Sequence, residues 1–321
     1  MAQFKPINLI FSSRFLDHDT GGGDHPESPK RLVKILENLR SGPLKDKIDL
    51  VNPKTVDKDL LFSVHSKDYV MRFEEACLSG METFGHQDNR ICYDTFQVAL
   101  LAAGACQKAV DLVEKGPEGV VMSLVRPPGH HAEASLPLGF CFINNVCLAA
   151  KYWQNRYGRK KVFIFDFDAH HGNGIQEVFD SDKSVFYASI HEHPTFSFPG
   201  TGYEEDTGSG PGEGFTLNVA LPPGATDSLV MKALKERIEP AIEQFKPECI
   251  IAAAGFDGHE ADDMSGLAYS TGLFGHIGSF LAVFAEKFCQ NRLVSILEGG
   301  YSLKFIGPSV EIYLGGLAIR I

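Results

Sequence analysis

Several features that a chain of 321 residues can carry are missing from this one. Its seven cysteines, at 77, 92, 106, 141, 147, 249 and 289, form no CxxC pair, and an odd total does not suit a complete disulfide framework. They read as reduced, mostly buried thiols, which implies a reducing compartment. Met1 to Ile10 has one lysine and a proline within a short apolar run, unlike the layout of a signal peptide. No apolar run reaches the roughly 18 residues of a membrane span, so the expectation is a soluble, cytoplasmic protein with no membrane partner. Positive charge is in short supply too: 30 Lys and Arg against 41 Asp and Glu give a net charge of -11 and a pI near 5.5. Direct nucleic-acid binding needs clustered basic residues and is not expected, whereas an acidic surface tolerates a cationic substrate. Linkers rich in Ser or Pro, repeats and low-complexity blocks are absent, which favours one domain over residues 1–321.

What is present is alternation. Short apolar, β-rich runs, about eight by this criterion, occur at Ile7 to Phe11, Ile48 to Val51, Val120 to Val125, Val162 to Phe167, Val185 to Ile190, Phe215 to Leu221, Cys249 to Ala254 and Leu293 to Leu297. Between them, Pro29 to Leu39, Thr95 to Val113, Ile143 to Tyr157, Ser228 to Phe245 and Thr271 to Phe288 space apolar residues by three and four, as amphipathic helices do. The pattern predicts an α/β fold: a single domain with a central, mostly parallel eight-stranded sheet flanked by helices. Glycine and proline gather in loops such as Gly21-Gly22-Gly23, Pro127-Pro128-Gly129 and Gly299-Gly300. Several of these follow a strand directly, and in open α/β sheets the ligand crevice lies beyond the carboxyl ends of the strands.

Chemistry concentrates at those ends. Phe165-Asp166-Phe167-Asp168-Ala169-His170-His171-Gly172-Asn173-Gly174 is dense in metal-ligand types. Asp168 and His170, two apart on an extended segment, point the same way, and a catalytic zinc needs about three protein ligands and an open position. Asp257, in Ala254-Gly255-Phe256-Asp257-Gly258-His259, ends another apolar strand and is the candidate third ligand; the bland alternative is a turn or helix-cap aspartate. Arg126-Pro127-Pro128-Gly129-His130-His131 presents two adjacent imidazoles. For general acid/base work each needs an orienting acceptor, and Asp166 and Asn173 can serve. In Glu298-Gly299-Gly300-Tyr301 two glycines let a phenol approach a bound carbonyl, where its hydroxyl would stabilise an oxyanion; a lone Tyr after Gly-Gly is otherwise a packed residue.

In this order, these segments resemble the histone deacetylase and acetylpolyamine amidohydrolase superfamily, whose fold is similar to that of arginase. The resemblance extends to His25-Pro26-Glu27-Ser28-Pro29-Lys30-Arg31, Gly139-Phe140-Cys141-Phe142-Ile143-Asn144-Asn145 and Phe198-Pro199-Gly200-Thr201-Gly202, and so runs from about Phe11 to Tyr301. It implies one zinc on Asp168, His170 and Asp257; His131 as general base and acid, oriented by Asn173; His130 paired with Asp166; and Tyr301 on the scissile carbonyl. Phe140 and Phe198 would wall a tunnel for an acyl-lysine stem, with Gly139, Met264 and Arg31 also at the substrate site. The family's structural potassium sites would fall on Asp166, Asp168, His170, Ser189 and Ile190, and on Phe179, Asp182, Val185 and Phe215. The implied partner is an acetylated lysine of a protein or peptide, histones included. Asn173, the Glu298-Gly-Gly-Tyr form and the early Gly-Gly-Asp-His-Pro-Glu segment are more similar to the class II and bacterial branch. Met264 stands where polyamine-specific relatives place an acidic gate, although Glu260, Asp262 and Asp263 lie close by. Two other readings are an acetylpolyamine or small acetyl-amine hydrolase and a non-catalytic acyl-lysine reader. An arginase-like pair of metals would need a carboxylate where Gly172 stands. Iron(II) or cobalt could replace zinc in such a donor set.

Overall fold

Parallel strands buried on both faces read as near-continuous apolar runs, and every residue of five such runs is buried in the computed structural model, which describes residues 5–22, 24–116 and 119–319. The first four residues of the N-terminal stretch, and Gly23 of the predicted glycine loop, lie outside the described residues. In chain order the strands are β1 (Ile7–Ile10), β2 (Ile48–Val51), β3 (Thr83–Phe84), β4 (His86–Arg90), β5 (Val120–Ser123), β6 (Val162–Asp166), β7 (Val185–Glu192), β8 (Thr216–Leu221), β9 (Cys249–Ala254) and β10 (Leu293–Leu297). The fully buried runs are β5, β6, β7, β9 and β10.

Eight strands form one sheet in the order β2-β1-β5-β10-β9-β6-β7-β8, and every pairing is parallel, where the sequence predicts only a mostly parallel sheet. The last two strands of the chain enter the middle of the sheet, between β5 and β6. The carboxyl ends of β5, β10, β9 and β6 therefore lie side by side, and the four chemistry-bearing segments are the loops that leave them.

The helices are α1 (Lys30–Ser41), α2 (Lys58–Leu61), α3 (Lys67–Leu78), α4 (Thr95–Lys115), α5 (Asn145–Tyr157), α6 (Asn173–Phe179), α7 (Asp227–Ala233), α8 (Glu239–Phe245), α9 (Thr271–Cys289) and α10 (Ile306–Ala318). The predicted helix Ser228 to Phe245 is not uniform: a π-helical turn, Leu234–Ile238, separates α7 from α8. Pro240, in the first turn of α8, has no N–H for the preceding turn and displaces its neighbours, so the hydrogen-bond ladder widens there. By length and composition α4 alone among the described helices could cross a membrane, but 72% of its apolar window is buried inside the fold. All seven cysteines are free thiols, and only Cys92 is not fully buried.

β3 and β4 form a small antiparallel hairpin that the sequence reading misses, because His86–Arg90 is polar and mostly exposed. It matters for function: Asn89, buried, accepts the Phe140 N–H through Oδ1 (2.9 Å), which ties the hairpin to the wall of the central cavity.

Candidate active site

A cavity of about 170 Å³ opens at the carboxyl edge of the sheet, lined by His86, Asp88, His131, Gly139, Phe140, His170, Phe198, Met264 and Tyr301. Its aromatic walls are cross-braced. The Phe198 ring meets His131 edge-on at 5.0 Å between centroids, and Phe140 lies edge-on to Tyr301 at 5.9 Å and to His25 at 4.8 Å. Gly139 adopts φ +51°, and a Cβ there would come within 2.3 Å of His131 Cδ2 and 2.8 Å of Phe198 Cε1. A glycine is needed on both counts.

At the base of the cavity, one ligand atom each from Asp168, His170 and Asp257 lie within 4.8 Å of one another. Backbone donors fix these groups. Gly299 N–H donates to Asp168 Oδ2 (2.8 Å), His170 N–H to Asp168 Oδ1 (3.0 Å), and Ala169 N–H to Asp257 Oδ1 (2.9 Å). His170 Nε2 lies 3.0 Å from the carbonyl of Met264, which can only accept, so Nε2 carries the proton and the Nδ1 lone pair faces inward. Nδ1 is 3.1 Å from Asp168 Oδ1 and 3.0 Å from Asp257 Oδ2. Three acceptors thus converge on one point, an arrangement that requires a cation or an extra proton between them.

Electrostatics point the same way. Asp166, Asp168 and Asp257 are completely buried, and burial raises carboxyl pKa values unless positive charge compensates. It raises Asp257, with Asp168 adding repulsion, whereas Asp168 itself is held low because the charge of His130 and the His170 contacts outweigh burial. Burial disfavours a proton on His170, yet Asp168 and Asp257 drive its pKa well above the usual imidazole value. The donor set therefore fits a divalent cation, which supplies the missing charge. A second group within ligand distance, His130, Cys141 and Glu298, suits one less well. Burial keeps the Cys141 thiol protonated, and Glu298 Oε2 already accepts from Gly129 N–H (2.6 Å) and His130 N–H (3.0 Å).

The adjacent histidines have opposite surroundings. His130 Nδ1 lies 3.1 Å from Asp166 Oδ2; burial opposes its charge, but Asp168 and Asp166 outweigh it and raise the pKa to about 10. His131 Nδ1 lies 2.8 Å from Asn173 Oδ1, and burial followed by repulsion from His130 and His170 lowers its pKa well below 6.5. A cationic ring beside a neutral ring with one free nitrogen is the pairing that acid/base chemistry uses.

Tyr301 is fixed through its backbone: its N–H and that of Ser302 donate to Asp262 Oδ2 (2.6 and 2.8 Å). Arg31, expected among the substrate contacts, is not on the cavity. It is completely buried behind this loop, with Nε on Gly300 O (2.6 Å), an amino group on Glu298 O (2.5 Å) and its guanidinium 4.8 Å from the centre of the Tyr301 ring. Its place follows from Glu27, whose Oε1 accepts from Arg31 (3.1 Å) and whose two oxygens chelate Arg126 (2.5 and 2.8 Å).

Of the residues expected around potassium, Asp166, Asp168, His170, Ser189 and Ile190 are buried, the first three at and just past the end of β6 and the last two within β7, with Asp166 opposite Ser189 in register. The other four surround the start of β7: Asp182 N–H donates to Phe179 O (2.9 Å), Val185 N–H to Asp182 O (3.1 Å), and Tyr187 N–H to Phe215 O (2.9 Å). Sequence reasoning missed His86 and Asp88 on the cavity, the Met264 carbonyl that sets the His170 tautomer, and Glu133, whose Oε1 accepts from Asn173 Nδ2 (2.8 Å). Only Glu133 had a sequence signal, a carboxylate two residues beyond the paired histidines.

Comparison with known proteins agrees with this geometry. The histone deacetylase domain profile matches residues 25–317. A probable deacetylase of Archaeoglobus fulgidus is 37% identical over 95% of this chain and 84% of its own length. Histone deacetylase 14, chloroplastic, of Arabidopsis thaliana is 37% identical over 96% of this chain and 76% of its own, and a histone deacetylase-like amidohydrolase of Pseudomonas aeruginosa 35% over 92% and 78%. The crystal structure of the HDA15 HD domain superposes with a TM-score of 0.90 at 32% identity, covering 98% of this chain and 88% of that one. The chain belongs to the histone deacetylase family, with the fold of its catalytic domain and the hydrolase chemistry that the family supports.

Proposed function

We propose that this protein is a zinc-dependent lysine deacetylase that hydrolyses the amide of Nε-acetyl-lysine in a protein or peptide, histone tails included. The observation that carries the reading is the convergence of Asp168, His170 and Asp257 at the base of an aromatic cavity, beside an imidazole with one nitrogen free. Asp168, His170 and Asp257 would hold the zinc ion, which when bound would supply Lewis acidity and a lowered pKa for water. His131 Nε2 takes the proton of the attacking water and returns it to the leaving amine. His130, paired with Asp166, stabilises negative charge that develops on the carbonyl oxygen. The Tyr301 hydroxyl, which has no hydrogen-bond partner among the described residues, donates to that same oxygen. Phe140 and Phe198 pack the four-methylene stem and exclude water from it.

An acetylpolyamine is the second reading, and Asp88 favours it as the one carboxylate among the described residues that line the cavity. The nearby acid Asp262 does not: its oxygens take the N–H groups of Met264, Tyr301 and Ser302. Glu260 and Asp263 are exposed and off the cavity. Parallel kinetics on an acetyl-lysine peptide and on acetylspermidine or acetylputrescine separate the two, with kcat/KM higher for the peptide expected and a clear polyamine preference overturning the choice. Potassium at either cluster of carbonyls belongs to the same proposal; greater thermal stability in potassium than in equimolar sodium is expected, and identical melting removes it.

A further inference from the structure

We infer that Glu133 is a positioning residue for the general base, acting through Asn173 to keep His131 in the tautomer that can accept a proton. The inference rests on the deacetylase reading of the site. His131 must present an unprotonated Nε2 to the cavity, so its proton must sit on Nδ1 and be received by an acceptor. A carboxylate has no wrong end. An amide does: turned over, Asn173 would aim its NH2 group at Nδ1 and stabilise the other tautomer, with Nε2–H facing the substrate.

Two acceptors hold the amide the right way round. Asn173 Nδ2 donates to Glu133 Oε1 at 2.8 Å and, over a longer 3.3 Å, to the carbonyl of His131. Glu133 is itself secured on both sides of its backbone. Its N–H donates to Leu136 O (3.0 Å), and its carbonyl accepts from His65 Nδ1 (3.0 Å). His65 Nε2 in turn accepts from Asn144 N–H (2.9 Å), which leaves Nδ1 as the protonated nitrogen. Glu133 is half-buried and does not line the cavity, so its influence on the reaction passes through the amide.

Four zinc-loaded proteins test this on an acetyl-lysine peptide: wild type, Glu133→Ala, Asn173→Asp and the double variant. Glu133→Ala should lower kcat about tenfold, with KM and bound zinc nearly unchanged. In the Asn173→Asp background, where the acceptor cannot turn over and Glu133 only adds repulsion, the same change should leave kcat equal or higher. The 15N spectrum of labelled histidine in metal-free protein gives an independent readout, with His131 moving from the Nδ1–H form in wild type towards the Nε2–H form in Glu133→Ala. Unaltered kcat in Glu133→Ala, an equal loss in both backgrounds or an unmoved tautomer would each overturn the inference. His131→Ala is the control on the parent reading: full activity in that variant would sink the deacetylase mechanism, whatever Glu133 does.

Discussion

Replacing Glu27 by Gln removes the carboxylate that, alone among the described residues, pairs with two completely buried arginines, Arg31 and Arg126. Burial alone would raise the Glu27 pKa, but the charge of Arg126, its hydrogen bonds and the charge of Arg31 bring it down from the ordinary 4.5 to about 2. That displacement corresponds to about 3 kcal/mol, in line with the roughly 3–5 kcal/mol lost when one partner of a buried ion pair is removed. Urea unfolding near neutral pH should therefore show Glu27→Gln less stable by about that amount at an unchanged m-value. The sign of the pH dependence follows. Because the folded pKa is depressed, the stabilisation is complete above about pH 4.5 and is lost as pH falls towards 2, so wild type and variant should converge in stability on acidification. Arg31 also carries Gly300 and Glu298 on its donors, so Tyr301 should lose its register and turnover should fall beyond the stability effect. A variant as stable as wild type at pH 7, or a gap that widens in acid, would refute the reasoning.

Three further substitutions separate the parts of the site. Tyr301→Phe should retain the metal and fold but lose kcat by about 10² or more, the usual cost of an oxyanion donor; turnover like wild type would remove the hydroxyl from the mechanism. Gly299→Ala places a Cβ 2.2 Å from Asp257 Oδ2 and 2.6 Å from Asp168 Oδ2, so elemental analysis should find the purified variant depleted of zinc, and full occupancy would contradict the donor set. Gly139→Ala pushes on His131 and Phe198 instead, so it should keep its metal while kcat/KM falls by about 10². Equal activity would mean that the wall is not where the substrate lies.

The chemistry was legible because Asp168, His170, Asp257, His130, His131 and Tyr301 all sit just past apolar strands, and residues of those types in such places are costly unless used. Their convergence was not legible from spacing. It depends on β9 and β10 entering the middle of the sheet, a non-local pairing that periodicity cannot encode. The resemblance puts Arg31 at the substrate site, whereas its burial against Glu27 appears only once Arg126, far along the chain, is brought to the same carboxylate. The β3–β4 hairpin escaped notice because it is short and polar, yet it supplies Asp88 to the cavity. Helix α10 carries Gly307, Gly315 and Gly316, which weaken a helical reading of that segment.

The central claim is that Asp168, His170 and Asp257 hold a divalent cation used to hydrolyse an acetyl-amide. Acetate release from an Nε-acetyl-lysine peptide, followed after chelation and again after addition of one equivalent of zinc, tests it most directly. Activity should vanish with the metal and return with zinc in wild type but not in Asp257→Asn. Undiminished acetate release from the metal-free protein would contradict the account.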